Sequence, residues 1–73
     1  MNTVRIYIDE DLDQSKRIKL ENVIREMLYV VDVEIGINEP HEVVIEFEEH
    51  HNMPMMLIEA LRTQGFHPDI ISA

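Results

Sequence analysis

The hydrophobic period of this chain switches from two to about 3.6 and back, and then does so a second time. From Thr3 to Asp9, Val4, Ile6 and Ile8 alternate with Arg5, Tyr7 and Asp9, which predicts a strand with one buried face. Asp11-Leu12-Asp13-Gln14 fits a capping box, with the Asp11 carboxylate accepting a backbone N–H and Gln14 reaching back. The helix that follows carries Leu20, Ile24, Met27 and Leu28 at helical spacing, with Val23 alongside, and is expected to stop near Leu28 or Tyr29. Glu21 and Arg25 add a favourable i,i+4 pair. Val31, Val33, Ile35 and Ile37 then alternate with Asp32, Glu34 and Gly36. The turn residues Asn38-Glu39-Pro40-His41 lead into a second alternation at Val43, Ile45 and Phe47, which predicts a β-hairpin. Asn52 is placed to cap a second helix that tolerates Pro54 in its first turn and ends before Gly65. Met53, Met56, Leu57, Ala60 and Leu61 form its expected core side, leaving Met55 outside. The last segment, Phe66 to Ile71, contains Pro68, which lacks a ladder donor and so belongs on an edge strand.

The element order is therefore βαββαβ, an α+β, ferredoxin-like arrangement in which two helices cover one face of a four-stranded antiparallel sheet. The first strand is expected between the third and the fourth, with the second at the far edge. A chain of 73 residues supports one such domain, spanning 1–73, and buries about 60% of the surface its unfolded state exposes.

Fifteen acidic residues against six Lys and Arg give a formal charge of −9, which repels nucleic acid and anionic membrane surfaces. The absence of cysteine removes disulfides, thiolate nucleophiles, iron–sulfur clusters and thiolate-bound zinc. Met1-Asn2-Thr3-Val4-Arg5 has no basic segment leading into an apolar signal core, and no apolar run approaches the roughly 18 residues of a membrane span. The expectation is a soluble, cytoplasmic protein. No Ser-His-Asp arrangement or Gly-rich phosphate loop can be placed, so the chain is not expected to be an enzyme.

Four stretches resemble the heavy-metal-associated domain family of copper chaperones, mercury-binding carriers and N-terminal modules of metal-pumping ATPases. They are Val4 to Ile8, the run Leu28-Tyr29-Val30-Val31-Asp32-Val33-Glu34-Ile35, Val43 to Phe47, and Leu57-Ile58-Glu59-Ala60-Leu61-Arg62-Thr63-Gln64-Gly65-Phe66. The last is the most specific, because the family closes with an Ile-x-x-Ala-Leu-like helix followed by Gly-Tyr or Gly-Phe. The resemblance implies a small metal-binding or metal-delivering domain that meets a metal transporter. The family holds its soft metal on a Met-x-Cys-x-x-Cys motif in the first strand-helix loop, where this chain has Asp13-Gln14-Ser15-Lys16-Arg17. Neither cysteine is present, so the fold carries over and the thiolate chemistry does not.

Two sets of other donors are candidates for a transition metal ion, divalent or monovalent. Topology gathers Glu10, Asp11 and Asp13 at the family end of the molecule, with His41 in the hairpin and His67 after Gly65-Phe66. Such a carboxylate and imidazole mixture suits Zn(II), Ni(II) or Mn(II) if the groups converge; otherwise the acids are solvated and cap the helix. At the opposite end lie His50 and His51, followed by Asn52-Met53-Pro54-Met55-Met56, where imidazole and thioether are competent for copper or nickel. Asp9-x-Asp11-x-Asp13 is not a calcium loop, because Gln14 and Leu20 stand where such a loop needs Gly and Glu.

The uncovered sheet face is expected to show Arg5, Tyr7, Asp32, Glu34, Val44, Glu46 and Glu48, an acidic surface suited to a basic protein partner. Lys16, Arg17, Lys19 and Arg25 concentrate on the first helix, which makes weak head-to-tail self-association conceivable. The alternative function is thus a degenerate family member that serves as a protein-interaction module.

Overall fold

The computed structural model describes residues 1–73, arranged as β1 (Asn2–Ile8), α1 (Gln14–Arg25), β2 (Val30–Ile35), β3 (Glu42–Phe47), α2 (Met53–Thr63) and β4 (Pro68–Ser72). The strands form one antiparallel sheet in the order β2-β3-β1-β4, the ferredoxin-like βαββαβ topology read from the sequence. Val4, Ile6 and Ile8 of β1 and Val43, Ile45 and Phe47 of β3 point to one face of the sheet. There they meet Leu20 and Ile24 of α1 and Met53, Leu57, Ile58 and Leu61 of α2 in a single apolar cluster. Period-two and period-3.6 stripes thus bury each other, which is the reason the two halves of the pattern close on one core.

Asp13, and not Asp11, caps α1: its backbone is extended and its Oδ1 accepts the Lys16 N–H at 2.9 Å. Helix α1 also ends earlier than its periodicity predicts. The Glu26 and Met27 amides still bond back to Asn22 and Ile24, but Tyr29 takes a left-handed φ of 75° and turns the chain into β2. Leu28, beyond the last helical turn, is 79% exposed. A register shift between Val30 and Asp32 then places Val30 against the core and Val31 outside it. Ile37 lies past the end of β2, after Gly36 has turned the chain at φ 71°, and is exposed as well.

Asn52 stands at the N-cap of α2 but makes no side-chain capping bond, because its own backbone is left-handed at φ 61°. In α2, Ile58 joins the core and Met56 is exposed, the reverse of what the stripe suggested for Met56. Gly65, at φ 91°, ends the helical segment where the sequence placed the stop. Pro68 begins edge strand β4, as its missing N–H requires. No helix is long and apolar enough to cross a membrane.

Candidate functional site

Three loops meet at the end of the sheet where β1 finishes. The Ile8 N–H donates to the His41 carbonyl at 2.9 Å and the Asp9 N–H to the His67 carbonyl at 3.1 Å, so residues 9–13, 36–41 and 64–67 are tied together by main-chain bonds.

His41 is held firmly at this junction. Its Nδ1 lies 2.8 Å from the Ile8 carbonyl oxygen and 3.0 Å from that of Glu10. Both neighbours are acceptors, so Nδ1 carries the proton, and in the neutral ring Nε2 keeps its lone pair. Tyr7 stacks on the ring with centroids 5.1 Å apart, and Nε2 faces the fully exposed Asp11 carboxylate at 3.8 Å. An imidazole anchored through Nδ1–H to carbonyl oxygens is the orientation used by metal-binding histidines.

Glu10 and His67 form the second pair. Glu10 Oε1 accepts the His67 main-chain N–H at 2.8 Å, and Oε2 meets the ring Nδ1 at 2.5 Å. Partial desolvation pushes the Glu10 carboxyl up, but the hydrogen bonds from the His67 side chain and main chain outweigh it and hold the group below its usual range. The hydrogen bond and the charge of Glu10 raise the His67 imidazole above its ordinary value. Its side chain is 74% exposed, so it sits at the surface of the junction and not in its interior.

The two sets of donors singled out from the sequence lie at opposite ends, and the loop-end set divides into separate pairs. Glu10 pairs with His67, Asp11 faces His41, and Asp13 spends one carboxylate oxygen on the α1 cap. His50 and His51 lie at the opposite end, beside the start of β1 and the end of β3, where His50 stacks on Tyr29 with centroids 4.0 Å apart. Met55 and Met56 are exposed on the neighbouring first turn of α2.

The open sheet face carries a grouping that reading one strand at a time does not reveal. Carboxylate oxygens of Asp32, Glu34 and Glu46 lie within 4.8 Å of one another, since Asp32 sits opposite Glu46 in the β2–β3 register and Glu34 is two residues along. The Arg25 guanidinium reaches Asp32 at 3.4 Å. On the same face Arg5 is not free: its Nη2 donates to Glu42 at 2.7 Å. Glu42 is the one buried charged residue, and the Asn38 amide donates to its other oxygen at 3.3 Å. The pairing register was the missing signal in each case.

No protein-family model matches the chain, and no curated protein sequence is similar to it. Solved structures do match in fold. Oxidised MerP from Ralstonia metallidurans CH34 superposes with a TM-score of 0.84 at 15% identity, covering 97% of each chain. A copper binding domain from HMA7, a P-type ATPase, gives 0.86 at 11% identity over 99% of this chain and 96% of that one. The N-terminal domain of ZntA in its Zn(II) form gives 0.80 at 15% identity, over 97% and 94%. The chain has the fold of heavy-metal-associated domains across essentially its whole length.

Proposed function

We propose that this chain is a metal-handling module built on the heavy-metal-associated fold, which takes its ion through nitrogen and oxygen donors at the loop end. The observation that carries the reading is His41, fixed by two carbonyl oxygens with Nε2 turned toward Asp11. Glu10 and His67 stand beside it on the adjoining loops. The thiolate chemistry of soft-metal carriers does not fit, since there is no cysteine. Imidazole and carboxylate instead suit a borderline ion such as Zn(II) or Ni(II), or the harder Mn(II), carried as cargo. His41 and Asp11 would hold it, with Glu10 and His67 supplying further donors once their mutual bond opens; Asp13 has only its second oxygen to offer. Copper in structures of like fold supports a metal role for the fold, and the donor set here argues for a different ion. In this role the chain delivers its ion to a metal transporter from the cytoplasm and catalyses no reaction of its own.

An amide-resolved NMR titration with Zn(II), Cu(I) and a salt control at matched ionic strength tests this. Saturating shifts centred on Asp9 to Asp13, His41 and His67 are expected with Zn(II). Saturation confined to His50, His51 and Met55 would move the function to the opposite end. Absence of saturation at micromolar metal would overturn the metal role.

A second reading rests on the carboxylates of Asp32, Glu34 and Glu46, gathered on an uncovered sheet face around half-buried Val44. In that reading the fold serves as an interaction module for a basic protein, and loss of the acidic face, not of His41, abolishes function.

A further inference from the structure

Strand β2 is the outer strand of the sheet, with β3 on one side and no strand on the other. The alternation of its main-chain groups follows from two bonds. The Gly36 N–H donates to the Glu42 carbonyl at 2.9 Å, so Gly36, and by alternation Glu34 and Asp32, direct their N–H and C=O toward β3. Val33 and Ile35 therefore direct theirs away from the sheet. The Ile35 carbonyl confirms this, since its partner is a side chain outside the sheet, the Arg17 guanidinium at 3.0 Å.

Beside this edge runs a groove of about 670 Å³ between β2 and the outer face of α1. Leu12, Ile18, Val33, Ile35 and Ile37 give half of its lining, and the other half is polar, with Arg17 and Arg25 among it. Ile18 and Ile37 are 54% and 68% exposed, large side chains that the core has no use for. On the other face of the same strand lie Asp32 and Glu34, with Glu46 next to them.

We infer that the β2 edge receives an extended segment of another polypeptide, added as a fifth strand and alternating apolar and basic residues. The free main-chain groups of Val33 and the N–H of Ile35 supply the ladder. Because successive side chains on a strand point to opposite faces, every second residue of the segment enters the groove against Ile18, Ile37 and Leu12. The intervening residues stand over Asp32, Glu34 and Glu46, and only Lys or Arg suits them there. A second copy of this chain is the poorer occupant. Pairing β2 with β2 would bring Asp32 and Glu34 against their own counterparts, between molecules that each carry −9. Arg17 occupies the last outward carbonyl and so marks the end of the edge nearest Gly36; toward Val31 the segment replaces the Arg25 guanidinium on Asp32 with its own basic side chain. This docking site adjoins the loop end through Leu12 and Ile37 but uses none of Glu10, Asp11, His41 or His67, and it needs no metal. It gives the interaction reading a location and a partner chemistry.

The test uses the full chain in chelator, so that failure here leaves the metal reading untouched. A fluorescent peptide alternating Lys with Ile or Val is titrated against the protein, beside a peptide of the same composition with the alternation scrambled and one with Glu in place of Lys. The expected result is saturable binding of the first alone, with amide shifts at Val31 to Ile35 and slowed exchange of the Val33 and Ile35 N–H groups. Ile37→Glu and the pair Asp32→Lys with Glu34→Lys, all at surface positions, should each weaken it by about tenfold or more, and the charge reversal should admit the Glu peptide. Equal binding of the scrambled peptide, or shifts without protection of Val33 and Ile35, would reduce the interaction to bulk charge and overturn the proposal. Sedimentation showing a dimer that blocks the peptide would overturn it in favour of a second copy.

Discussion

At the scale of single residues, His41 and His67 differ in what their neighbours ask of them. His41 has its Nδ1–H shared between two carbonyl oxygens, so its tautomer is set by the main chain. His67 has a carboxylate partner, and its titration is coupled to Glu10. The His67 imidazole should titrate above its ordinary 6.5, and Glu10→Gln should return it toward that value, as read from the ring protons by NMR across pH. The sign of the stability effect follows. The raised His67 stabilises fully below 6.5, and its contribution fades as pH rises through its folded value. The lowered Glu10 contributes above its ordinary 4.5, and that contribution fades as pH falls through its folded value. The pair is therefore most favourable in mildly acidic solution, and Glu10→Gln should flatten the thermal-stability profile there. Arg5 offers a second residue-scale test. Arg5→Met leaves the buried Glu42 carboxylate with Asn38 alone and should cost about 1–2 kcal/mol in denaturant unfolding at neutral pH.

At the scale of elements, α1 shows what a periodic stripe can and cannot specify. Leu20 and Ile24 are buried as their spacing demands, whereas Leu28 obeys the same spacing and is exposed because the helix has already ended. Ile24→Ala should accordingly cost about 2–5 kcal/mol, and Leu28→Ser should stay within about 0.5 kcal/mol of the parent, measured by urea denaturation. The strands were legible down to the side of each residue in β1 and β3, because a period of two admits no drift. In β2 the single-residue shift beside Val30 moved Val31 out, and a bulge leaves no mark in a run of valines. The candidate site was half legible for the same reason. Topology gathers Glu10, Asp11, His41 and His67 at one end, and that could be read. That Asp13 is consumed as a cap, and that Asp32, Glu34 and Glu46 converge, depends on helix start and strand register, which no local pattern states.

At the scale of the whole molecule, charge separates the two ends and two faces into different kinds of surface. Helices cover one face, the other is acidic, the loop end carries nitrogen and oxygen donors, and the far end carries His50, His51 and exposed methionines. A net −9 on 73 residues means that self-repulsion is part of the folding balance, so moderate salt should raise the thermal midpoint by screening it. It also attracts any divalent cation nonspecifically, and saturable, pH-dependent binding is what distinguishes a site from that background.

The most direct test of the loop-end site is the Zn(II) affinity of the parent chain, of His41→Ala and of His50→Ala with His51→Ala, measured by competition with a chelator from mildly acidic to mildly alkaline pH. A saturable site is expected that tightens as pH rises through the His67 titration, is weakened about tenfold or more by His41→Ala, and is indifferent to loss of the far histidines. An affinity unchanged by His41→Ala would contradict it.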